Sequence, residues 1–304
     1  MKEFVEFRII RESAHLLFKE DEGVNLGDIV KKVRIDPALP VFKKIGELQK
    51  EARKRHELFF SFFEYKRFYT ETEIRNADYF LMSRTRHFEP TGEECGTIYD
   101  ESSACPICGT GAKQITPLIL NRSKIPRADM AETIAGGDET IVSEKFKELV
   151  KENNLTGMDF EPVISSGKHG QKLNYYQICP QYYLEFSNKT VFGQDPFDLS
   201  GEFPGCIVEY MQQDGTKYKK VYPREIYKCP NGDNMGLRIL SEAYMKSDSI
   251  LKDLDFFASR QTVGGRGGLI RQHHLLFCSN RMMRLIKEKN LKGFRFEIAH
   301  IVDE

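Results

Sequence analysis

Three cysteines within fourteen residues, Cys95, Cys105 and Cys108, have the type and spacing that best suit a defined chemistry in this sequence. In Cys105-Pro-Ile-Cys108-Gly109 two thiolates can bind one ion across a tight turn, and the glycine lets the backbone fold round it. That is the form of a zinc knuckle. Cys95, ten residues earlier and also followed by glycine, is the natural third ligand. The fourth has no diagnostic spacing, and His87, Cys179 and Cys229 are the candidates. A thioredoxin-type redox role is disfavoured, because no βαβ pattern surrounds the pair. The expectation is a structural zinc ion on Cys95, Cys105 and Cys108, with Cys206 and Cys278 as small buried hydrophobes.

A second group is Gly264-Gly-Arg-Gly-Gly268 with Arg260, Arg271, His273 and His274. It invites a phosphate-binding reading, but its spacing is neither a Walker loop nor a dinucleotide fingerprint. An insertion loop fits better. The adjacent histidines diverge if they lie on a strand, which makes shared ligation awkward. No Ser-His-Asp order, acidic pair or His-Glu-x-x-His motif stands out, and Asp255-Phe-Phe257 reads as a core anchor.

These groups need elements to hold them. Phe4 to Ile10 alternates as a strand, with Phe4, Glu6 and Arg8 on one side. Val41 to about His56 reads as a charged helix, Leu58 to Tyr69 as an aromatic-rich strand, Thr70 to Ala77 as a short helix, and Asp78 to Phe88 as a strand. Ile115–Leu120 and Thr140–Val142 are short strands. Ser143 caps a helix from Glu144 to Asn153, with Phe146, Leu149 and Val150 on one face. Residues 171–228 are tyrosine-rich and β-like, with Asp214-Gly215 as a hairpin turn.

The chain repeats itself. Ser143–Glu161 set above Ser279–Glu297 gives nine identities in nineteen positions without a gap. Each copy keeps its serine cap, its apolar face (Met282, Leu285 and Ile286 in the second) and a glycine after the helix. Upstream, Cys105-Pro106 pairs with Cys229-Pro230, and Arg122-Ser123 with Lys246-Ser247, each 17 residues further on. The second copy is 12 residues longer before its helix, a surplus assigned to the glycine-rich loop. Gly232 stands where Cys108 would recur, so the second copy is expected to hold no metal. The fold class is thus α+β: two copies of a strand–helix–strand module, at 105–163 and 229–299, packed with β-rich segments. The domains are expected at 1–93, 94–170 (with the knuckle), 171–228 and 229–304.

The Cys-Pro-Ile-Cys-Gly motif, and the order Cys229-Pro, Asp255-Phe-Phe257, capped helix and Leu291-Lys-Gly-Phe-Arg-Phe296, resemble the bacterial double-CxxCG immunity proteins. The Ile141–Val150 and Leu155–Phe160 segments are similar to immunity domains of polymorphic-toxin systems. The resemblance covers residues 95–165 and 229–304. It implies a cytoplasmic antidote that binds and neutralises a cognate toxin and has no catalytic residues. Only Cys105 and Cys108 map onto the family's metal-ligand pattern, and Gly232 breaks the second pair.

Composition sets the outer bounds. Forty-five Lys and Arg balance forty-five Asp and Glu, so no net field draws in nucleic acid or an anionic membrane. No apolar run approaches the ~20 residues of a membrane span. Met1-Lys2-Glu3-Phe4 turns charged too early for a signal peptide. Seven cysteines without an export signal favour reduced thiols in the cytoplasm. The expected function is a non-enzymatic immunity protein with a protein partner, nucleic acid being an unlikely one. The alternatives are an enzyme acting on nucleic acid or nucleotides through the loop at 264–271 (Arg266 and Arg271), or a phage-encoded inhibitor of a host defence complex.

Overall fold

The computed structural model describes residues 1–55, 57–105, 108–167, 170–197, 206–211, 217–222, 232–248, 254–265 and 268–304; at 206–211, 217–222 and 235 it describes the backbone alone. The fold is mixed α+β, with strand at 41% outweighing helix at 18%. The chain divides into two compact units, Met1–Asn76 with Asp195–Phe197, and Ala77–Gln194 with Asp198–Glu304. The division therefore falls at 76/77, whereas the sequence reading puts it at 93/94. The reason is that the strand after Ala77 pairs within the second unit. No described helix is long and apolar enough to cross a membrane.

The first unit runs β1 (Lys2–Ile10), α1 (Arg11–Ala14), β2 (Val24–Leu26), β3 (Val30–Ile35), α2 (Pro40–Lys54), β4 (Phe60–Phe68) and α3 (Glu71–Asn76). Its antiparallel sheet has the order β2-β3-β1-β4. The alternation legible in β1 sends Val5, Phe7 and Ile9 to the buried side. Ile45 and Ala52 of α2 are buried as well. Phe197 returns to stack on Phe7, with ring centroids 6.1 Å apart. Gly46 makes room for it, since a Cβ there would lie 2.5 Å from the Phe197 ring. Buried Gln49 accepts hydrogen bonds from the Phe59 and Phe60 amides, tying α2 to the start of β4.

The second unit contains two larger sheets. Its elements are β5 (Tyr79–Arg84), β6 (His87–Phe88), β7 (Tyr99–Asp100), β8 (Lys113–Gln114), β9 (Ile119–Leu120), β10 (Met130–Thr133), β11 (Thr140–Ser143), α4 (Glu144–Glu152), β12 (Met158–Ser165), β13 (Lys172–Pro180) and β14 (Tyr183–Leu184). Then follow β15 (Phe192–Gly193), β16 (Cys206–Met211), β17 (Lys217–Tyr222), β18 (Asn234–Met235), β19 (Arg238–Ile239), β20 (Ala243–Lys246), β21 (Phe256–Gly264), β22 (His273–Ser279), α5 (Asn280–Glu288) and β23 (Phe294–Val302). β16 and β17 form the expected hairpin, with Met211 opposite Lys217; its Asp214-Gly215 turn lies outside the described residues.

One sheet has the order β6-β10-β11-β13-β12-β9 and the other β14-β21-β22-β5-β23-β20. β13 enters the first between β11 and β12, and β5 enters the second between β22 and β23. In one, Ile141 and Glu161 flank Gln177; in the other, Phe277 and Glu297 flank Leu81. The following short strands cross over as well, each parallel to its neighbour: His87 pairs with Glu132, and Tyr183 with Ala258.

The turns that close α4 and α5 interlock the two sheets. Ser143 accepts from the Phe146 amide and donates to Asp129; Ser279 accepts from the Met282 amide and donates to Asp255. Asp129 also takes the Lys292 amide at 2.8 Å, beyond the end of α5, and Asp255 takes the Thr156 amide at 3.2 Å, beyond the end of α4. Each aspartate thus holds one helix start and the other helix's exit. Gly157 (φ +102°) and Gly293 (φ +104°) sit in those exits, flat against the backbone of Phe256 and Met130.

Candidate functional site

Cys105 and Cys108 lie on the segment that joins β7 to β8. The Cys105 amide donates to the Thr110 carbonyl and the Gly109 amide to the Cys105 carbonyl, both at 2.8 Å. Gly109 has φ +77°, the conformation such a turn asks of glycine. Both thiols are buried, Cys108 at 1% exposure. Cys108 Sγ lies 3.3 Å from Thr110 Oγ1 and 3.6 Å from the Asp233 carboxylate. Asp233 is itself buried and accepts from the Thr262 amide at 2.9 Å. The Thr110 and Thr262 hydroxyls, 3.0 Å apart, both reach Gln272 Oε1, which links the β7–β8 segment to β21 and to the start of β22.

Cys95 is placed differently. Its thiol, with a pKa raised by burial, lies against the Asn121 backbone and the Ser166 side chain. Cys179 is held well up, to about 11, by burial and by nearby carboxylates. His87 lies 3.6 Å from Glu132. Cys229 falls outside the described residues. Among the described residues no group of three His, Cys, Asp or Glu side chains is arranged to hold a metal ion. The donor brought to Cys108 is Asp233, which the sequence reading does not single out.

Arg271 serves as a latch. Its guanidinium pairs with Glu101 at 2.7 Å and Glu93 at 2.9 Å, and its carbon lies 4.3 Å from the centre of the Tyr99 ring. Tyr99 donates to Glu139 at 2.9 Å. That buried carboxylate also takes the Gly92 amide at 2.8 Å and the Thr133 hydroxyl. Desolvation holds Glu139 above its ordinary pKa despite these donors. The adjoining cleft, lined by Gly111, Gly137, Thr262 and His274, is about 50 Å3, room for a water or two.

The two histidines do diverge. His273 is half-buried and lies against Gly136 and Gly264, while His274 Nδ1 lies 2.7 Å from the Ser259 carbonyl and its ring meets Tyr183 edge-on. Arg260 is exposed, 3.9 Å from Glu185. Arg266 lies outside the described residues. The residues missed at sequence level are Tyr99, Thr110, Asp129, Glu139 and Asp233. One signal was available for Asp129: it and Asp255 each precede a large apolar residue that opens a strand.

Compared with known proteins, the chain matches no family model and no curated sequence.

Proposed function

We propose that this chain is a non-enzymatic binding protein of the immunity type, which neutralises a protein partner by covering it. The observation that carries the reading is a set of exposed aliphatic side chains on the segments the Arg271 latch joins. Ile98 is 53% and Ile115 61% exposed, and the Ile115 amide bonds to the Ile98 carbonyl. Ile134 and Ile270 are also exposed, on backbone joined by the Gly136–Arg271 bridge and by the Arg271 amide to Ala135. Exposed aliphatics gathered on a polar, internally tied scaffold suit protein docking. The Arg271 guanidinium, by contrast, is already committed to two carboxylates and a ring, which leaves the enzyme alternative little to work with. That the partner is a toxin rests on the motif resemblance.

The test is co-purification with the product of the adjacent open reading frame. A stable complex is expected, weakened about thirtyfold or more by Ile98→Asp with Ile115→Asp. No complex, or a complex indifferent to both changes, would sink the proposal.

Two further parts belong to it. We extend the repeat read at 105–163 and 229–299 to residues 79–165 and 172–302, as two copies of one unit that exchange their leading strands, β5 and β13. The support is the matched order of the two sheets, the matched register about Gln177 and Leu81, and the paired aspartate and glycine contacts. The second part is a structural zinc ion on the Cys105 and Cys108 thiolates, with the Asp233 carboxylate as a further donor. Cys108 Sγ lies 3.6 Å from the buried Asp233 carboxylate, and Cys105 is buried three residues before it; thiolate and carboxylate are donors zinc accepts. About one zinc per purified chain is expected, and it should be lost in Cys108→Ser and reduced in Asp233→Ala. Zinc content unchanged in both variants would remove this part.

A further inference from the structure

The sheet of the first unit buries one face and leaves the other open, and the open face carries a charge pattern that the balanced composition conceals. Lys32, Arg8 and Phe62 lie directly opposite one another across β3, β1 and β4. Two cations face each other in this row, an arrangement that costs stability in an antiparallel pair. Among the described residues no carboxylate lies within ion-pair range of either. The Arg8 guanidinium instead lies 4.5 Å from the centre of the Phe62 ring.

The next outward row is Arg34, Glu6 and Glu64, with Arg34 pairing Glu6 at 3.3 Å. Beyond it Phe4 faces Lys66, and Lys2 faces Phe68. Phe68 is half exposed, with Arg34 6.0 Å from its ring centre and Phe4 edge-on at 6.1 Å. The face therefore holds five cations against the two carboxylates of Glu6 and Glu64. Its aromatic platforms, Phe62 and Phe68, are six residues apart on one strand, about 20 Å.

Two cations that lack carboxylates, Arg8 and Lys32, in the row of one outward ring, with a second outward ring further along the same strand, match a ligand that carries both anionic groups and flat apolar ones. We propose that this face binds single-stranded nucleic acid, with phosphates on Arg8 and Lys32 and bases on Phe68 and Phe62. An acidic protein surface would use the cations but would leave the rings without a counterpart. This inference concerns the first unit alone and stands apart from the protein-docking reading of the second.

The test uses the full chain and fluorescein-labelled oligothymidylate and oligouridylate of about 12 nucleotides, followed by fluorescence anisotropy. Salt-sensitive binding of at least one is expected, and which of them binds more tightly distinguishes DNA from RNA. Arg8→Gln with Lys32→Gln should reduce the slope of log affinity against log salt by roughly 1.4, two phosphate contacts' worth. Phe68→Leu should weaken binding about tenfold. The double variant should melt no lower than the parent, because an opposed pair of like charges has been removed. The proposal is overturned if neither oligonucleotide binds or if the double variant keeps the parent slope. It is likewise overturned if oligoglutamate displaces the strand as well as unlabelled oligouridylate does, which would point to an acidic protein surface.

Discussion

Alanine at Gly157 is expected to destabilise the protein by on the order of 3–5 kcal/mol, a large part of an ordinary domain's stability. Two effects add. At φ +102° any side chain is strained, worth about 1–3 kcal/mol. The added Cβ would also lie 1.9 Å from the Phe256 carbonyl oxygen, so the α4 exit and β21 must separate. Gly293 stands in the same relation to Met130, at 2.1 Å, and should behave alike. Gly96 supplies the control. Its φ is +106°, but the nearest atom to a new Cβ is 3.8 Å away, so Gly96→Ala carries the strain without the clash. Urea midpoints of the three variants measure the difference. If Gly157→Ala unfolds no earlier than Gly96→Ala, the close approach contributes nothing.

The second large effect is expected at Arg84. Its guanidinium pairs with Glu132, both side chains are nearly inaccessible (5% and 6%), and Thr140 Oγ1 donates to the same carboxylate at 3.2 Å. Arg84→Met leaves that carboxylate buried without its partner, at a cost of about 3–5 kcal/mol near pH 7. Arg84→Met with Glu132→Leu should recover most of the loss, since replacing a whole buried pair by apolar groups is often close to neutral.

The same cluster makes the protein acid-sensitive. Desolvation pushes the Glu132 pKa up, but Arg84, His273 and His87 outweigh it and leave it below the usual carboxylate value. Burial, with Arg84 adding to it, pushes His273 down to about 4. Both native pKa values lie below the unfolded ones, so the unfolded chain takes up protons first and stability falls with falling pH. The His273 contribution is lost between about 6.5 and 4, and the Glu132 contribution below the ordinary carboxylate range. In Arg84→Met the carboxyl can be neutralised at mild acidity, so the gap to the parent should narrow between about pH 7 and pH 5. A gap that widens instead would contradict this account.

What the sequence made legible was local. The alternation of Phe4 to Ile10, the helix now seen as Pro40–Lys54 and both serine caps follow from neighbours within a few residues. So does the Asp255-Phe-Phe257 anchor, whose two rings are fully buried. Pairing over long range left no such trace. Asp78–Phe88 reads as one strand, but it is two: Tyr79–Arg84 lies between β22 and β23, while His87–Phe88 pairs with β10 in the other sheet. Ile115–Leu120 reads as one apolar strand, yet only Ile119–Leu120 pairs as one, because the Ile115 amide is drawn to Ile98. The aromatic run of β4 does not show which rings are core, and Phe60 and Phe63 are buried while Phe68 is half exposed. In the candidate site, nothing near Arg271 in the sequence shows that Glu93 and Glu101, far away in sequence, hold it. Asp233 escaped notice because its partner Cys108 is also far away in sequence.

The crossing of β5 has a consequence for how the protein is made. A ribosome releases Tyr79–Arg84 early, but the two strands that flank it emerge roughly 200 residues later. Until then this strand has both edges unsatisfied, and its buried residues, Phe80, Leu81 and Met82, have nowhere to go. The first large sheet is similarly delayed, since β12 cannot join β11 before β13 arrives. The second unit therefore closes only after its last strands are synthesised, which makes it a slow folder and a natural client for chaperones during translation.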